Sequence, residues 1–204
     1  MFSDELEKIS WEETTARINA KTEADVRRAL SKEHCDVDDF MALVSPAAAP
    51  YLETMARLSR KYTEERFGKT MSMFIPLYIT NSCTNSCVYC GFHISNPMRR
   101  TILTEEEIEN EYKAIKKLAP FENLLIVTGE NPAKAGVPYL ARALDLAKPY
   151  FSNLKIEVMP LKTEEYEELK AHGMNGVICF QETYHKANSV SYTHLRAHET
   201  ELHL

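Results

Sequence analysis

Three cysteines, Cys83, Cys87 and Cys90, lie close together in the stretch NSCTNSCVYCGF, residues 81–92. Their C-x3-C-x2-C spacing allows one short loop to bring three thiolates around a single metal centre. A disulfide needs two cysteines and a tetrahedral zinc site needs four ligands. A [4Fe–4S] cluster held by three thiolates keeps its fourth iron open to another ligand. The spacing therefore favours an iron–sulfur cluster.

A zinc site is the alternative, with His93 or Cys179 as its fourth ligand. Zinc modules usually show two separate pairs of ligands, whereas only one group of ligands is visible in this sequence. Cys35 and Cys179 are instead expected to be buried small apolar side chains.

Composition and charge limit the class of protein. The 204 residues are enough for a domain with a sizeable core. The 30 acidic and 24 basic side chains give a net charge of −6, which argues against a nucleic-acid-binding protein. The sequence has neither a long apolar stretch nor the pattern of a signal peptide, so we expect a cytoplasmic protein. Five cysteines in a reducing compartment favour metal binding over disulfides.

The elements that must position the cysteine loop follow from periodicity. Residues 1–70 are predicted to be helical, and 45–68 to be one helix with Ser45 as its N-cap and Gly68 at its end. Beyond residue 70, strands are predicted over 71–80, 123–129, 153–161 and 175–181, and helices over 104–119, 137–151 and 163–173, the last capped by Thr163.

This alternation of strands and helices indicates an α/β fold built from right-handed βαβ units around a parallel sheet. The strands are continuous apolar runs, which predicts that both faces of the sheet are covered. The cysteine loop directly follows the first strand, at the edge where parallel α/β folds bind their ligands.

The cysteine loop, with the aromatic Tyr89 before its last cysteine, resembles the radical S-adenosylmethionine (SAM) superfamily. The stretch VTGE, residues 127–130, supports this resemblance, although Thr128 stands where family members usually have a first glycine. The resemblance implies a [4Fe–4S] cluster whose open iron binds SAM. It also implies that the three cysteines ligate the cluster and generate the catalytic radical with it.

The same resemblance implies further site residues. Tyr89 would contact the adenine of SAM, and Gly129 and Glu130 would hold its methionine part. Glu157 is a candidate for cofactor binding, with a surface or capping glutamate as the alternative. Four residues of the stretch QETYH are candidates for recognition of SAM or substrate, with a structural hydrogen-bond network as the alternative: Gln181, Glu182, Tyr184 and His185. Arg99 and Arg100 are expected to be a solvated pair.

Longer stretches, among them PLYITNSCTNSCVYCGF, KIEVMPLKTEEY and GVICFQETYHKAN, resemble the tyrosine lyases of bacterial thiamine biosynthesis. This resemblance implies cleavage of the Cα–Cβ bond of L-tyrosine to 2-iminoacetate and p-cresol. It implies thiazole synthase and a flavodoxin- or ferredoxin-type electron donor as partners. The alternatives are the tyrosine-cleaving maturases of [FeFe]-hydrogenase and a non-catalytic iron–sulfur-binding fragment.

The likeness ends at residue 188. The expected fold is therefore the N-terminal half of a radical SAM (β/α) TIM-type barrel over 71–188, preceded by the helical segment 1–70. The tail 189–204 is expected to be foreign, disordered sequence, which makes its histidines poor ligand candidates: His194, His198 and His203. A barrel cut in this way is expected to be inactive.

Overall fold

The computed structural model describes residues 2–180 and 182–185. The chain falls into two compact units, of which the first is Met1–Met71 and the second begins at Ser72. Within the described part, no helix is long and apolar enough to cross a membrane. The predicted tail over 189–204 and its histidines lie outside the described residues.

The first unit consists of helices. They are α1 (Phe2–Glu7), α2 (Trp11–Asn19), α3 (Glu23–Leu30), α4 (Val37–Leu43), a 3-10 helix (Pro46–Tyr51) and α5 (Leu52–Phe67). Thr22 and Asp25 cap each other's backbone N–H groups at the start of α3, and Asp36 and Asp39 do the same for α4. Such caps satisfy N–H groups that have no partner inside the helix. Val26, Ala42 and Ala48 form a buried cluster in this unit.

The stretch 45–68, predicted to be one helix, forms two. Pro50 lies inside the 3-10 helix and has no backbone N–H to donate, so α5 begins only after it. Ser45 makes no capping bond, because its hydroxyl donates to the carbonyl oxygen of Ala42 (2.7 Å). Gly68 ends α5 as predicted, with a φ of 63° that glycine adopts without strain.

The second unit is an α/β unit with one parallel sheet. Its elements are β1 (Phe74–Thr80), α6 (Glu105–Leu118), β2 (Asn123–Thr128), α7 (Pro132–Ala135), α8 (Val137–Ala147), β3 (Asn153–Glu157), α9 (Thr163–Ala171) and β4 (Met174–Val177). The strands pair in the order β1-β2-β3-β4, with helices in every connection. The predicted α/β class and parallel sheet are confirmed.

Some boundaries differ from the prediction. The fourth strand, predicted over 175–181, is only Met174–Val177. The N-cap of α9 is Lys162 and not Thr163, and the backbone N–H of Lys162 donates to the Glu165 carboxylate (2.7 Å). Hydrophobic periodicity predicts that an element exists more reliably than it predicts the residue at which the element begins or ends.

The core of the second unit lies between the sheet and helices α6, α8 and α9. Leu124, Ile126 and Ile156 are buried there, and burial of a side chain of this size stabilises the fold by about 1.5–3 kcal/mol. Tyr112 of α6 is fully buried, and its hydroxyl donates to the carbonyl oxygen of Ala143 (3.1 Å). Burial raises the pKa of Tyr112 far above its usual range, so the hydroxyl keeps the proton that it donates.

The opposite face of the sheet is only partly covered in the described part of the chain, since Leu125 and Val127 of β2 are buried on it. Phe74 and Tyr78 of β1 point away from the helices and are 57% and 56% exposed. Lys155 of β3 is exposed on the same face. The prediction that both faces are covered therefore holds for the middle of β2 and is wrong at Phe74, Tyr78 and Lys155, because the described helices pack on the other face.

Candidate active site

β1 leads directly into the cysteine loop, and this loop is closed at its base. Thr80 pairs with Ile102 in an antiparallel bridge. The N–H of Asn81 donates to the carbonyl oxygen of Thr101 (3.3 Å), and the Thr80 hydroxyl donates to the same oxygen (2.8 Å). The loop therefore leaves and rejoins the sheet at one point, the carboxyl end of β1.

One pocket of about 250 Å³ contains all three cysteines of the loop, Cys83, Cys87 and Cys90. Each cysteine is partly exposed, so its sulfur can be reached from the pocket. The pocket lies at the carboxyl ends of β1, β2 and β3. The other predicted site residues that line it are Tyr89, Gly129, Glu130, Glu157 and Glu182. The structure thus brings together residues that are up to about a hundred positions apart in the sequence.

The sulfur atoms are placed for thiolate chemistry. The backbone N–H of Asn85 donates to Cys83 Sγ (3.5 Å), and the N–H of Phe92 donates to Cys90 Sγ (3.4 Å). Hydrogen bonds to sulfur stabilise the anionic ligand that a cluster needs and are one of the protein's controls on cluster potential. The residues present therefore fit a [4Fe–4S] cluster.

The zinc alternative finds no support among the described residues. No three of their His, Cys, Asp or Glu side chains are grouped so that they could hold one metal ion. The Nδ1 atom of His93, one suggested fourth ligand, accepts the backbone N–H of Ser95 (3.0 Å). A cubane cluster does not need convergence on one ion, because each of its thiolates binds a different iron.

The turn after β2 is joined to the cysteine loop by hydrogen bonds. The N–H of Gly129 donates to the carbonyl oxygen of Thr80 (3.0 Å). The N–H of Thr84 donates to the carbonyl oxygen of Glu130 (2.8 Å), and the Asn85 side-chain amide donates to the Glu130 carboxylate (2.6 Å). The two segments that carry the predicted cluster and SAM residues therefore form one connected structure.

Gly129 is needed for this junction. A Cβ atom at this position would lie 2.4 Å from the carbonyl oxygen of Ser82 and 3.1 Å from Cys83 Cβ. Non-bonded atoms do not approach this closely, so only glycine allows β2 to pass so near the loop. Gly129, predicted to hold the methionine part of SAM, is thus also the residue at which β2 meets the backbone of the cysteine loop.

Sequence reasoning missed a buried polar pair beneath the cluster loop. The side-chain amide of Asn131 donates to Ser82 Oγ (2.8 Å), and both residues are buried. The N–H of Ser82 in turn donates to Thr80 Oγ1 (3.0 Å). A signal was present in the sequence, because polar residues directly after two neighbouring strands come together at the same edge of a parallel sheet.

Tyr139 of α8 is a second missed contributor. Its hydroxyl lies 3.1 Å from the carbonyl oxygen of Ile79 and 2.9 Å from that of Leu103, on either side of the cysteine loop. Burial, followed by the charge of Glu107, raises the pKa of Tyr139 to about 12. The hydroxyl therefore stays protonated at neutral pH and can donate to the backbone at the base of the loop.

The QETYH candidates have different placements. Glu182 lines the pocket, and Gln181 lies outside the described residues. Tyr184 and His185 are described but do not line the pocket. The N–H of His185 donates to Thr183 Oγ1 (3.1 Å), a local contact within this segment.

The arginine prediction is wrong for one member of the pair. Arg99 is exposed, as expected. Arg100 is half-buried, and its guanidinium donates to backbone carbonyl oxygens of the cysteine loop, among them those of Asn81 (2.9 Å) and Phe92 (2.9 Å). Because Arg99 and Arg100 are adjacent and identical, the sequence contains no signal that shows which of them binds the loop.

The prediction that Cys35 and Cys179 are buried is also wrong, because both are exposed. Cys35 follows α3, and its thiol donates to the carbonyl oxygen of Ala29 (3.6 Å). Cys179 follows β4, beyond the last residue that pairs in the sheet. Each of the two cysteines lies in irregular chain after a regular element has ended.

The fold and the site define a class. A family model described as Radical SAM superfamily matches residues 77–199, and the chain belongs to this superfamily. Proteins of the superfamily use a [4Fe–4S] cluster and SAM, which confirms the predicted cofactors.

The particular relatives are 2-iminoacetate synthases. The chain is 50% identical over 186 residues to the 2-iminoacetate synthase of Salmonella typhimurium (strain LT2). It is 48% identical over 186 residues to that of Escherichia coli (strain K12). Each alignment covers 91% of this chain and 49% of the relative, so the chain spans about half the length of the curated relatives it matches. The predicted resemblance is confirmed.

Among solved structures, HydG, a maturase of the [FeFe]-hydrogenase, has a TM-score of 0.80 at 23% sequence identity. The match covers 89% of this chain and 42% of that chain. A match at this low identity shows the fold alone. The likeness of fold confirms the prediction that the chain forms part of a radical SAM TIM-type barrel.

Proposed function

We propose that this chain is part of a radical SAM tyrosine lyase, a 2-iminoacetate synthase of thiamine biosynthesis. The observation that carries the proposal is the 50% identity over 186 residues to a 2-iminoacetate synthase. The maturase alternative is supported by likeness of fold at 23% identity and has no such support from sequence.

The proposed reaction balances with two electrons. L-tyrosine, SAM, two electrons and one proton give 2-iminoacetate, p-cresol, methionine and 5′-deoxyadenosine. The Cα–Cβ bond of tyrosine breaks, and its amino group loses the hydrogen atom that 5′-deoxyadenosine gains. One electron is used to cleave SAM and the other reduces the phenol half to p-cresol. Both come from a flavodoxin- or ferredoxin-type donor.

When bound, the cluster and SAM supply a 5′-deoxyadenosyl radical, which is the reactive species. The residues of this chain bind and orient. Cys83, Cys87 and Cys90 would hold three irons, with the sulfur atoms of Cys83 and Cys90 stabilised by backbone N–H groups. Tyr89 would contact the adenine of SAM from the same pocket.

Other pocket residues would bind the amino-acid parts of cofactor and substrate. Gly129 and Glu130 would hold the methionine part of SAM, because a carboxylate in a pocket favours an ammonium group. Glu157 lines the same pocket beside them. Substrate recognition is proposed for four residues of the following segment, Gln181, Glu182, Tyr184 and His185.

The role of Glu130 can be tested with a variant of the same shape. Glu130→Gln is expected to weaken SAM binding by about tenfold to a hundredfold, because a charge-assisted hydrogen bond becomes a neutral one. Equilibrium dialysis of SAM against the reconstituted chain measures this change. Glu164→Gln, an exposed glutamate of α9, makes the same change of charge and is expected to bind SAM like the parent. Equal affinity in both variants contradicts the assignment of Glu130.

The proposed activity is best tested in a chimera. In this chimera, the aligned segment of the Salmonella enzyme is replaced by the corresponding residues of this chain. The rest of the chimera is the half of the Salmonella enzyme that the alignment does not cover. Under anaerobic conditions, with SAM, reductant and tyrosine, the chimera is expected to form p-cresol and 5′-deoxyadenosine in equal amounts. A chimera that cleaves SAM but gives no p-cresol would overturn tyrosine as the substrate.

We also propose that the 204-residue chain is inactive by itself. Its support is Tyr78, which lines the pocket that contains the cysteines and exposes more than half of its surface to water that would quench a radical. The same p-cresol assay tests this proposal. Robust p-cresol formation by the isolated chain would contradict its inactivity.

Thiazole synthase is the proposed partner, because 2-iminoacetate is labile in water and benefits from direct delivery. We place the protein in the cytoplasm, where a reducing environment keeps cluster cysteines as thiols. The five free cysteines of the structure agree with this location.

A further inference from the structure

The cysteine loop lies in an irregular segment of 24 residues, 81–104, between β1 and the helix that follows it. Loops of this length have many conformations, and ordering one costs conformational entropy. A cluster site needs three sulfur atoms held at fixed positions. Some feature of the chain must therefore hold the two ends of this loop at a fixed separation.

Asn81 fixes the base of the loop. Its side-chain amide donates to the carbonyl oxygen of Arg99 (2.9 Å), and its side-chain oxygen accepts the N–H of Thr101 (2.7 Å). These two bonds place the residue between Arg99 and Thr101, which is Arg100, directly beside the start of the loop.

Arg100 reaches from this base into the part of the loop beyond Cys90. Its Nη1 donates to the carbonyl oxygens of Asn81 (2.9 Å) and Phe92 (2.9 Å). Its Nη2 donates to the carbonyl oxygen of His93 (2.6 Å) and lies 3.5 Å from that of Asn96. One guanidinium thus joins the residue that opens the loop to the residues that follow its third cysteine.

The chemistry of arginine suits this task. A guanidinium carries five N–H donors in one plane, whereas the ammonium of lysine is a compact charge with three. In the described part of the chain, the hydrogen-bond partners of Arg100 are all neutral carbonyl oxygens and not carboxylates. Its positive charge is therefore not neutralised by an ion pair among the described residues, and it lies against the backbone on both sides of the cysteine loop.

We propose that Arg100 is a positioning residue that closes the cysteine loop and sets Cys90 relative to Cys83 before a cluster is bound. Phe92 connects these features, since its carbonyl oxygen accepts from Arg100 and its N–H donates to Cys90 Sγ (3.4 Å). The inference rests on the assignment of the three cysteines to the cluster. It adds a residue that does not line the pocket itself.

The first test uses the metal-free chain, so that it does not depend on the cluster. Arg100→Lys and Arg100→Gln are compared with Arg99→Lys and Arg99→Gln, which make the same changes of charge one position earlier. Hydrogen exchange of backbone amides over 82–96 is expected to be about tenfold faster in both Arg100 variants, and unchanged in the Arg99 variants. Unchanged exchange in Arg100→Lys overturns the proposal.

The second test measures iron and sulfide after anaerobic reconstitution. Arg100→Lys, which keeps the charge, is expected to lose bound cluster to a chelator about tenfold faster than Arg99→Lys does. Circular dichroism and the melting temperature of the metal-free chains show whether any variant has lost its fold. If the parent chain does not bind iron, the cluster assignment is refuted. Loop closure by Arg100 is then decided by the hydrogen-exchange rates of the first test alone. Equal chelator rates with faster exchange would overturn the link between loop closure and cluster.

Discussion

Replacing Cys87 with alanine is expected to abolish the [4Fe–4S] cluster of the reconstituted chain. In the proposed site the cysteines supply three thiolates for a cluster with one open iron, so removal of one would leave a second iron without its protein ligand. Loss of residues that merely support a metal ligand costs about tenfold to a hundredfold in affinity, and loss of a ligand is expected to cost more. The cluster's EPR signal after reduction, together with iron and sulfide content, measures the effect.

Cys35→Ala and Cys179→Ala are the matched controls. Both positions carry exposed thiols that do not line the pocket. Each is expected to retain the parent's iron content and EPR signal. A full signal in Cys87→Ala, or an equal loss in either control, contradicts the assignment of the cluster to the three-cysteine loop.

Replacing Gly129 with alanine is expected to displace the cysteine loop. The added Cβ would lie 2.4 Å from the carbonyl oxygen and 2.8 Å from the carbonyl carbon of Ser82. Neither atom belongs to a flexible side chain, so the backbone of β2 or of the loop must move. Overpacking of this kind costs about 1–3 kcal/mol. We expect a lower melting temperature and poor cluster incorporation, measured by thermal denaturation and by iron content.

Gly91→Ala gives the control for this substitution within the same loop. Nothing lies within 4 Å of a Cβ added at Gly91, so this variant changes the freedom of the unfolded chain without a collision. It is expected to keep the stability and iron content of the parent. If both alanine variants behave alike, the close approach of Gly129 to Ser82 is not what positions the loop.

The regular elements of the second unit could be predicted because their signals are local. Thr104 and Glu107 cap α6 within four residues of each other, with the N–H of Thr104 donating to the Glu107 carboxylate (2.7 Å). The buried strands are short apolar runs between such helices. Residues 45–68 show where periodicity fails as a predictor. Their apolar residues have helical spacing throughout, but Pro50 lacks a backbone N–H and the stretch forms two helices.

The cysteines of the site could be predicted because their spacing is itself the chemical signal. The groups that hold the loop could not, because their partners are far away in the sequence. Asn131 bonds to a residue 49 positions earlier, and Arg100 bonds to Asn81 19 positions earlier. No periodicity relates such pairs. The Asn131 pair exists because two parallel strands end at the same edge of the sheet, and the Arg100 pair exists because the cysteine loop returns to the end of β1.

The order of the strands has a consequence for synthesis on the ribosome. Each strand pairs with the strand made just before it, in the order β1-β2-β3-β4. Every pairing can therefore form as soon as its second strand emerges, without waiting for distant parts of the chain. The cysteine loop, the Gly129 turn and Glu157 all precede residue 161. The segments that carry the proposed cluster and SAM residues can thus come together in the nascent chain as soon as these strands have emerged.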